Sequence, residues 1–505
     1  MSQLFVFGDY YLPIKGAYVN SKDLPITVYN TASKRMERIT LLRPGLVRIY
    51  VCGLTPYDSM HVGHARTFVF YDIFRRYLEY LGLEVRFVTN FTDIDDKIIN
   101  RARQEFGSDM VNRWYDIPSR YIKEFFDAMD RLYIKRAYAY PRVTENIGDM
   151  MKWIQELVNR GLAYVSPDGS VYFDITKVPR YGEFSGQKIE DLIAGARVEP
   201  EPGKRNPLDF ALWKSWSEGE PWWNSPWSPG RPGWHLECVV MSSKYLGVPF
   251  DIHGGGQDLI FPHHENEVAI ARVYFGIDYF ARYWIHVGLV TIKGQKMSKS
   301  LGNIIPIMDV LRKYDGEVLR LYYAMTHYRK PMDFDPDSLD QVRNTLMSLY
   351  AAYDELLEAI NEAPEAGSKD EELISRVNGY IESFESSLNN DVNTSGAVAS
   401  IIEFAKYITS TLIYNAQNYS KGALTQTLTA FSDLAGILGL LNRTKIPPSL
   451  ISLVNTLISI RSQLRARKMF DLADEIRSEL SKLGVVISDV GNKTYWYIDR
   501  DRIAT

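Results

Sequence analysis

The 505-residue sequence predicts an α/β protein, with a parallel sheet in its N-terminal half, a long insertion interrupting that half, and an all-α C-terminal half. Two observations carry this reading. Short β-branched runs at 46–51 and 84–89 flank a helical pattern, which is a βαβ unit. Beyond Pro306 the apolar period becomes that of helices and stays so. Composition agrees: 46% hydrophobic and 24% charged residues exclude a disordered, collagenous or disulfide-built chain.

The elements follow in order. The first strand gives way to the turn residues Gly53, Pro56 and Asp58. From Gly63 a helix places Phe70, Ile73, Phe74, Tyr77, Leu78 and Leu81 along one stripe and stops at Gly82. Residues from about 97 to 230 read as inserted. They hold a helical run at 146–157 and a hairpin of 163–165 with 171–175 around Pro167-Asp168-Gly169. Trp213, Trp216, Trp222, Trp223, Trp227 and Trp234 crowd one Pro/Gly-rich stretch and are expected to form an aromatic mini-core. Strands return at 250–252 and 285–290, with a helix at 265–275 between them. Amphipathic helices follow at 345–360, 371–388 and 397–414, with a polar linker at 363–370. A basic cluster (Arg461, Arg465, Arg467, Lys468) marks the last segment.

Charge and cysteine content narrow the setting. Lys plus Arg is 58 against 62 Asp plus Glu, a formal charge of −4, so any nucleic-acid partner must be held by a local basic patch. Only Cys52 and Cys238 are present, which fits a reducing compartment. The N-terminus has no basic n-region, and Asp9 cuts its apolar run. The apolar stretch 423–441 carries Thr, Gln, Ser and Asp at helical spacing, which suits a packed helix. A cytoplasmic protein without membrane contact is expected; the sequence leaves the oligomeric state open, with a monomer slightly favoured.

Four clusters carry chemistry. His61-Val62-Gly63-His64 sits where the first strand hands over to its helix, the place where such sheets bind ligands. A helix N-terminus has free N–H groups and a positive dipole end, and two imidazoles add donors for phosphate. Gly63 lets a ligand approach the backbone. Lys296-Met297-Ser298-Lys299-Ser300 follows a strand through Lys293-Gly294 and suits a mobile polyphosphate clamp. No Walker A pattern occurs, and Gly254-Gly255-Gly256 lacks dinucleotide-fingerprint spacing, so kinase and dehydrogenase chemistry is excluded. The third cluster is Gly233–Cys238, and the fourth runs from His253 through Asp258 to His263, His264 and Glu267. His263 and Glu267 are i, i+4 and share a helix face. With Cys52 and Cys238 they make a donor set sufficient for Zn²⁺. Spacing alone leaves two inert buried thiols as the alternative.

In this order the clusters resemble a class I aminoacyl-tRNA synthetase, specifically the cysteinyl-tRNA synthetase family. Val51-Cys52-Gly53-Leu54-Thr55 with the histidine turn, Asn90–Lys97, Lys204–Trp213, Pro232–Cys238, His253–Glu267 and Lys293–Asn303 are each similar to a family signature. The resemblance spans about Val28 to Trp496. It implies a Rossmann-type catalytic domain in two halves (28–96 and 233–305) split by a connective insertion (97–232). A stem-contact region (306–345), a helical bundle (346–446) and an anticodon-binding region (447–505) follow. Residues 1–27 match nothing and form an extension of unknown role.

The resemblance also implies a reaction. Cysteine's carboxylate attacks the α-phosphate of ATP-Mg²⁺, giving cysteinyl-adenylate and pyrophosphate, and the cysteinyl group passes to the 3′ end of its tRNA. His61 and His64 with Gly63 would hold the α-phosphate, and Lys296 and Lys299 the pyrophosphate. Asp258 and His253 lie where the family positions adenosine and substrate; Thr55, Thr92 and Trp234 lie where it contacts the amino acid. Cys52, Cys238, His263 and Glu267 would bind one Zn²⁺ per chain, with His264 disfavoured because it is out of helical phase with Glu267. A thiolate-rich metal site separates cysteine from serine without editing. Arg465, Phe470, Asp474, Asp489 and Trp496 fall where the family reads the anticodon. Two alternatives remain in view. A cysteine:amino-sugar ligase of the mycothiol type would lack the full C-terminus, and the intact Lys296–Ser300 loop and both histidines of the first motif count against a non-catalytic RNA-binding paralogue.

Overall fold

The computed structural model describes residues 16, 18–188, 203–298, 301–442, 448–490 and 493–498. An antiparallel hairpin, β1 (Asp23–Asn30) and β2 (Arg35–Thr40), opens the described chain. The boundary expected at 28 therefore cuts through a strand. The apolar side chains of β1 (Leu24, Ile26, Val28) alternate into the core, so its start belongs with the residues after it.

The predicted βαβ unit is β3 (Leu46–Leu54), a helix at Val62–Tyr80 and β4 (Glu84–Phe91). The whole predicted helix stripe, Phe70 to Leu81, is buried. The inserted segment builds its own antiparallel sheet, in order, from β5 (Ala163–Val165), β6 (Val171–Phe173), β7 (Phe210–Ser215) and β8 (Gly230–Pro232). The chain then returns through a helix at Trp234–Leu246, β9 (Phe250–Gly256), a helix at Glu265–Phe275 and β10 (Ala281–Val287). The central sheet has the order β10–β9–β3–β4, and every pairing in it is parallel. Parallel strands with helical crossovers put all the strand C-termini at one edge, and the site lies there.

Two expectations fail in detail. The tryptophans do not form one core: Trp213 is buried with Trp227 edge-on to it, while Trp216 and Trp222 are 43% and 47% exposed. They lie beyond the end of β7, where no sheet face covers them. The strand expected at 285–290 breaks after Val287, and Val290–Ile292 (β11) pairs instead with Gln295–Lys296 (β12) and Met332–Asp333 (β13).

The C-terminal half is helical, with helices at Gly316–Ala324, Leu339–Glu362, Asp370–Asn389, Thr394–Tyr407 and Lys421–Leu438. The stretch Thr394–Asn418 is long and apolar enough to cross a membrane by composition, yet Ile401, Phe404 and Leu412 are buried in the bundle. The bundle grips the N-terminal half at Asp391, whose carboxylate accepts the Tyr29 N–H at 2.8 Å and the Tyr328 hydroxyl at 2.7 Å. A helix at Pro448–Ala466, a helix at Phe470–Lys482 and the hairpin of β14 (Val485–Val490) and β15 (Lys493–Ile498) complete the described chain.

One buried carboxyl in this junction makes a pH prediction. Burial raises Glu385 to about 7, the Tyr80 hydroxyl 2.9 Å away pulls it back and Glu382 pushes it up. A carboxyl raised from 4.5 when folded holds its proton more tightly in the native state, so ionising it costs stability. That cost is absent below about pH 4.5 and complete above about 7. Glu385→Gln keeps the acceptor for Tyr80 without the charge. It is expected to stabilise the protein by about 1–2 kcal/mol at pH 8, solvent screening included, with no gain at pH 4. Urea melts at the two pH values check this; an equal gain at both would refute it.

Candidate active site

The histidine turn is built by capping. His61, extended at φ −103° and ψ 168°, is the N-cap of the Val62–Tyr80 helix. Its Nδ1 accepts the N–H groups of Gly63 (3.1 Å) and His64 (3.3 Å), and its own N–H reaches His64 Nδ1 (3.4 Å). The two rings stack at 3.6 Å. Each Nδ1 is thus an acceptor, and these partners assign the ring proton to Nε2. Burial lowers His61 to about 4, against the pull of Asp258, and holds His64 well below the usual histidine range. At neutral pH both are neutral Nε2–H donors. This corrects one expectation: the Gly63 and His64 N–H groups are taken by His61, so the free donors are the ring nitrogens. A Cβ on Gly63 would meet Met297 Cε at 2.9 Å, so the lysine segment packs directly on this turn.

The lysine segment begins at the end of the hairpin of β11 and β12, which is turned by Lys293 and Gly294 at φ 51° and 73°. Lys296 is exposed on β12, and Asn303 Oδ1 accepts the Ser298 N–H at 2.8 Å. Lys299 lies outside the described residues.

The third feature is a buried donor cluster. The end of β3 supplies Cys52 and the Trp234–Leu246 helix supplies Cys238; their sulfurs are 3.5 Å apart and both are free thiols. His263 Nε2 lies 2.8 Å from Glu267 Oε1, and Cys52 Sγ lies 3.4 Å from that oxygen. Cys52 and Cys238, 186 residues apart in sequence, meet at the cluster, but the four residues whose donor atoms all lie mutually close include His264 in place of Cys238. Burial raises both thiols, but Cys52 and His263 pull Cys238 down to about 6. Burial opposes ionisation of Glu267, and His253 and His263 overcome it, holding the carboxyl well below its usual range.

His264 also joins the cluster. Its Nε2 is 3.3 Å from Cys52 Sγ, and donor atoms of Cys52, His263, His264 and Glu267 lie within 4.8 Å of one another, so the group can hold a metal ion. The phase expectation against His264 fails even for a regular helix, because positions three apart share a face just as positions four apart do. The turn Ile260–His264 is wide, with Phe261 extended at φ −136° and ψ 134°, and both imidazoles are buried.

Substrate assignments divide. Trp234 is 38% exposed and stacks on the His263 ring at 4.1 Å, which roofs the cluster. Thr92 is buried and donates to Glu237 Oε2 at 3.2 Å; Thr55 is half-buried and Asp258 exposed at the rim. His253 is fully buried on β9, its Nε2 bonds Glu267 Oε2 at 2.6 Å and its ring stacks on Trp284 at 4.2 Å, so in this structure it orients that carboxylate. Sequence reasoning gave no role to His286, whose Nε2 meets His264 Nδ1 at 2.7 Å; its histidine identity was the one available signal.

At the C-terminus, Arg465, Phe470 (53% exposed) and Asp474 face solvent. Trp496 does not: it is 2% exposed, packs with Val454, Ile458 and Leu480, and donates to Asn455 Oδ1 at 2.8 Å. Its ring holds β15 to the helix and is not open to a base. Asp489 is gripped by buried Arg461 through two bonds of 2.9 and 2.8 Å, so its acceptors are already engaged.

A parallel sheet with a histidine turn and a lysine hairpin at its C-terminal edge, followed by helices, defines a class I aminoacyl-tRNA synthetase. Comparison agrees and narrows this. Residues 38–344 match the family model for the tRNA synthetases class I (C) catalytic domain, 383–442 the DALR domain, and 448–496 the cysteinyl-tRNA ligase anticodon binding domain. A cysteine–tRNA ligase of Pyrobaculum islandicum is 59% identical over 470 residues, covering 93% of this chain and 99% of that protein. One of Pyrococcus abyssi is 45% identical over 477 residues, covering 93% and 98%. In fold the chain is similar to Mycobacterium tuberculosis methionyl-tRNA synthetase in complex with methionyl-adenylate, with TM-score 0.57, 16% identity, and coverage of 82% of this chain and 94% of that one. The chain belongs to the cysteinyl-tRNA synthetase family.

Proposed function

We propose that this chain joins cysteine to its tRNA by the two-step reaction of an ATP-dependent ligase, at the edge where the histidine turn, the lysine hairpin and the donor cluster meet. Cysteine's carboxylate attacks the α-phosphate of ATP-Mg²⁺, releasing pyrophosphate, and the cysteinyl group then moves to the tRNA 3′ end. The observations that carry this reading are the meeting of Cys52 with Cys238 and Glu267 and of Glu267 with His263, and the packing of Met297 against Gly63, which joins the lysine segment to the histidine turn.

The donor set fits Zn²⁺. Two sulfurs on one tetrahedral zinc sit roughly 3.8 Å apart, and here they are 3.5 Å apart. Cys52, Cys238, His263 and Glu267 would hold the ion, with His264 as the alternative imidazole. Bound there, Zn²⁺ would supply a Lewis acid at which a thiol ionises and a serine hydroxyl binds poorly. The chain's own groups do the rest. The Nε2–H donors of His61 and His64 meet charge on the α-phosphate, and Lys296 with Lys299 meets charge on the leaving pyrophosphate. Trp234 excludes water from the amino-acid side. The nucleophile is already a carboxylate, so the first step needs no general base. Arg465, Phe470 and Asp474 are the anticodon-facing groups, and the match at 448–496 supports tRNA over an amino sugar as acceptor. Two free thiols in contact suit a cytoplasmic setting.

Cysteine-dependent ATP–pyrophosphate exchange, followed by charging of total tRNA, tests the reading. Both are expected, together with one zinc per chain by elemental analysis. Exchange without charging would replace tRNA with another acceptor, and a chelator-washed, fully active protein free of zinc would remove the metal from the scheme.

A further inference from the structure

The histidine turn and the lysine hairpin act on two parts of one triphosphate, so their spacing matters as much as their chemistry. Arg66 lies two residues beyond His64 on the same helix and is 2% exposed. Its Nη1 donates to the carbonyls of Gly288 (2.9 Å) and Leu289 (3.3 Å), and its Nη2 to those of His327 (3.1 Å) and Lys330 (2.7 Å). Gly288-Leu289 is the break at which the chain leaves β10 for the lysine hairpin. The segment 327–330 leads into β13, which pairs with the hairpin's first strand. One guanidinium therefore ties the helix begun by the histidines to both backbone segments that flank the hairpin carrying Lys296. The fit is close: a Cβ on Gly288 would lie 2.5 Å from the Lys330 carbonyl oxygen.

The outer side of the hairpin is held by Asp333, whose Oδ1 accepts the Thr291 hydroxyl and the Gly294 N–H, each at 2.8 Å. Beyond the hairpin the chain is stitched back to the turn: Ile305 accepts the Val62 N–H at 3.1 Å, and Met60 accepts the Ile307 N–H at 2.8 Å. Burying a guanidinium among neutral carbonyls costs solvation that a packed apolar side chain would not. Its planar fork is what can bridge four carbonyls at once, and a lysine cannot copy it.

We propose that Arg66, with Asp333 as the outer anchor, is a positioning residue that sets the distance between the histidine turn and the lysine hairpin, and so aligns the α-phosphate with the departing pyrophosphate. Neither residue touches the substrate. The inference rests on the proposed roles of those two motifs.

The test is steady-state ATP–pyrophosphate exchange by the full chain carrying Arg66→Lys or Asp333→Ala, with zinc content and far-UV circular dichroism measured alongside. Misplacement by about 1 Å can cost about 10²-fold in rate. Arg66→Lys is expected to lower kcat by about 30-fold or more while KM for cysteine stays within about threefold, because the cysteine side is built on other elements. Asp333→Ala, at an exposed position that folding tolerates, is expected to show the same split with a loss of about tenfold. A wild-type kcat in either folded variant overturns the proposal, as does a kcat loss matched by lost zinc or an equal rise in KM. Should Arg66→Lys fail to fold, Asp333→Ala decides alone. His61→Asn separates the two levels: if it leaves exchange unchanged, the site reading fails, and if it slows exchange while Arg66→Lys does not, only this inference fails.

Discussion

Cys238→Ser is expected to lose most of its bound metal and to reduce the preference for cysteine over serine by about 10² or more. Partners that merely support a metal ligand are worth about 10–100-fold in affinity, and a ligand itself should exceed that. The effect falls on selectivity because serine and cysteine differ by one atom, too little for packing alone to separate strongly. Serine at 238 fits the buried space that the thiol occupies between Cys52 and Asn90, so the fold should survive. Elemental analysis and exchange assays with each amino acid give the answer. Wild-type discrimination in a zinc-depleted Cys238→Ser protein would dismantle the proposed origin of specificity.

The second large effect is expected from His61→Asn. Asparagine is among the best N-cap residues, and its side-chain oxygen can take the Gly63 and His64 N–H groups that His61 Nδ1 holds now. The outward Nε2–H donor is lost. Removing one preorganised donor from a developing anion typically costs about 10²–10³ in kcat. The variant should therefore melt within a few degrees of the parent yet activate cysteine at least about 10²-fold more slowly. A large fall in melting temperature with near-normal kcat would show that the ring serves only as a cap. Burial sets His61 to about 4, so its titration should leave no inflection in the activation rate between pH 6 and 8.

Much of this site is written in short-range pattern. The strand–helix–strand unit is legible because alternation and helical period report burial directly. The histidine turn is legible because a cap sits where a strand ends and a helix begins. Arg66 is not: in sequence it is one more arginine on a helix, and its partners are backbone carbonyls 222 to 264 residues away. His264 shares a helix face with Glu267 as His263 does, so helical phase cannot choose between the two imidazoles, and only the packing against Cys52 shows that His264 joins the cluster. Trp496 carried an aromatic signature suited to base stacking, but a ring buried on one face of a two-stranded sheet has the same signature.

The division between the two levels has a physical cause. Residue order alone determined the layered α/β half, the helical half, the histidine turn and the His263–Glu267 helix-face pair, because each depends on spacing within about one or two turns of chain. Tertiary structure alone decided which donors meet, which imidazole faces which sulfur, and that Met297 packs on the histidine turn. Those depend on strand order and on side-chain bonds to distant backbone, and no local period encodes them.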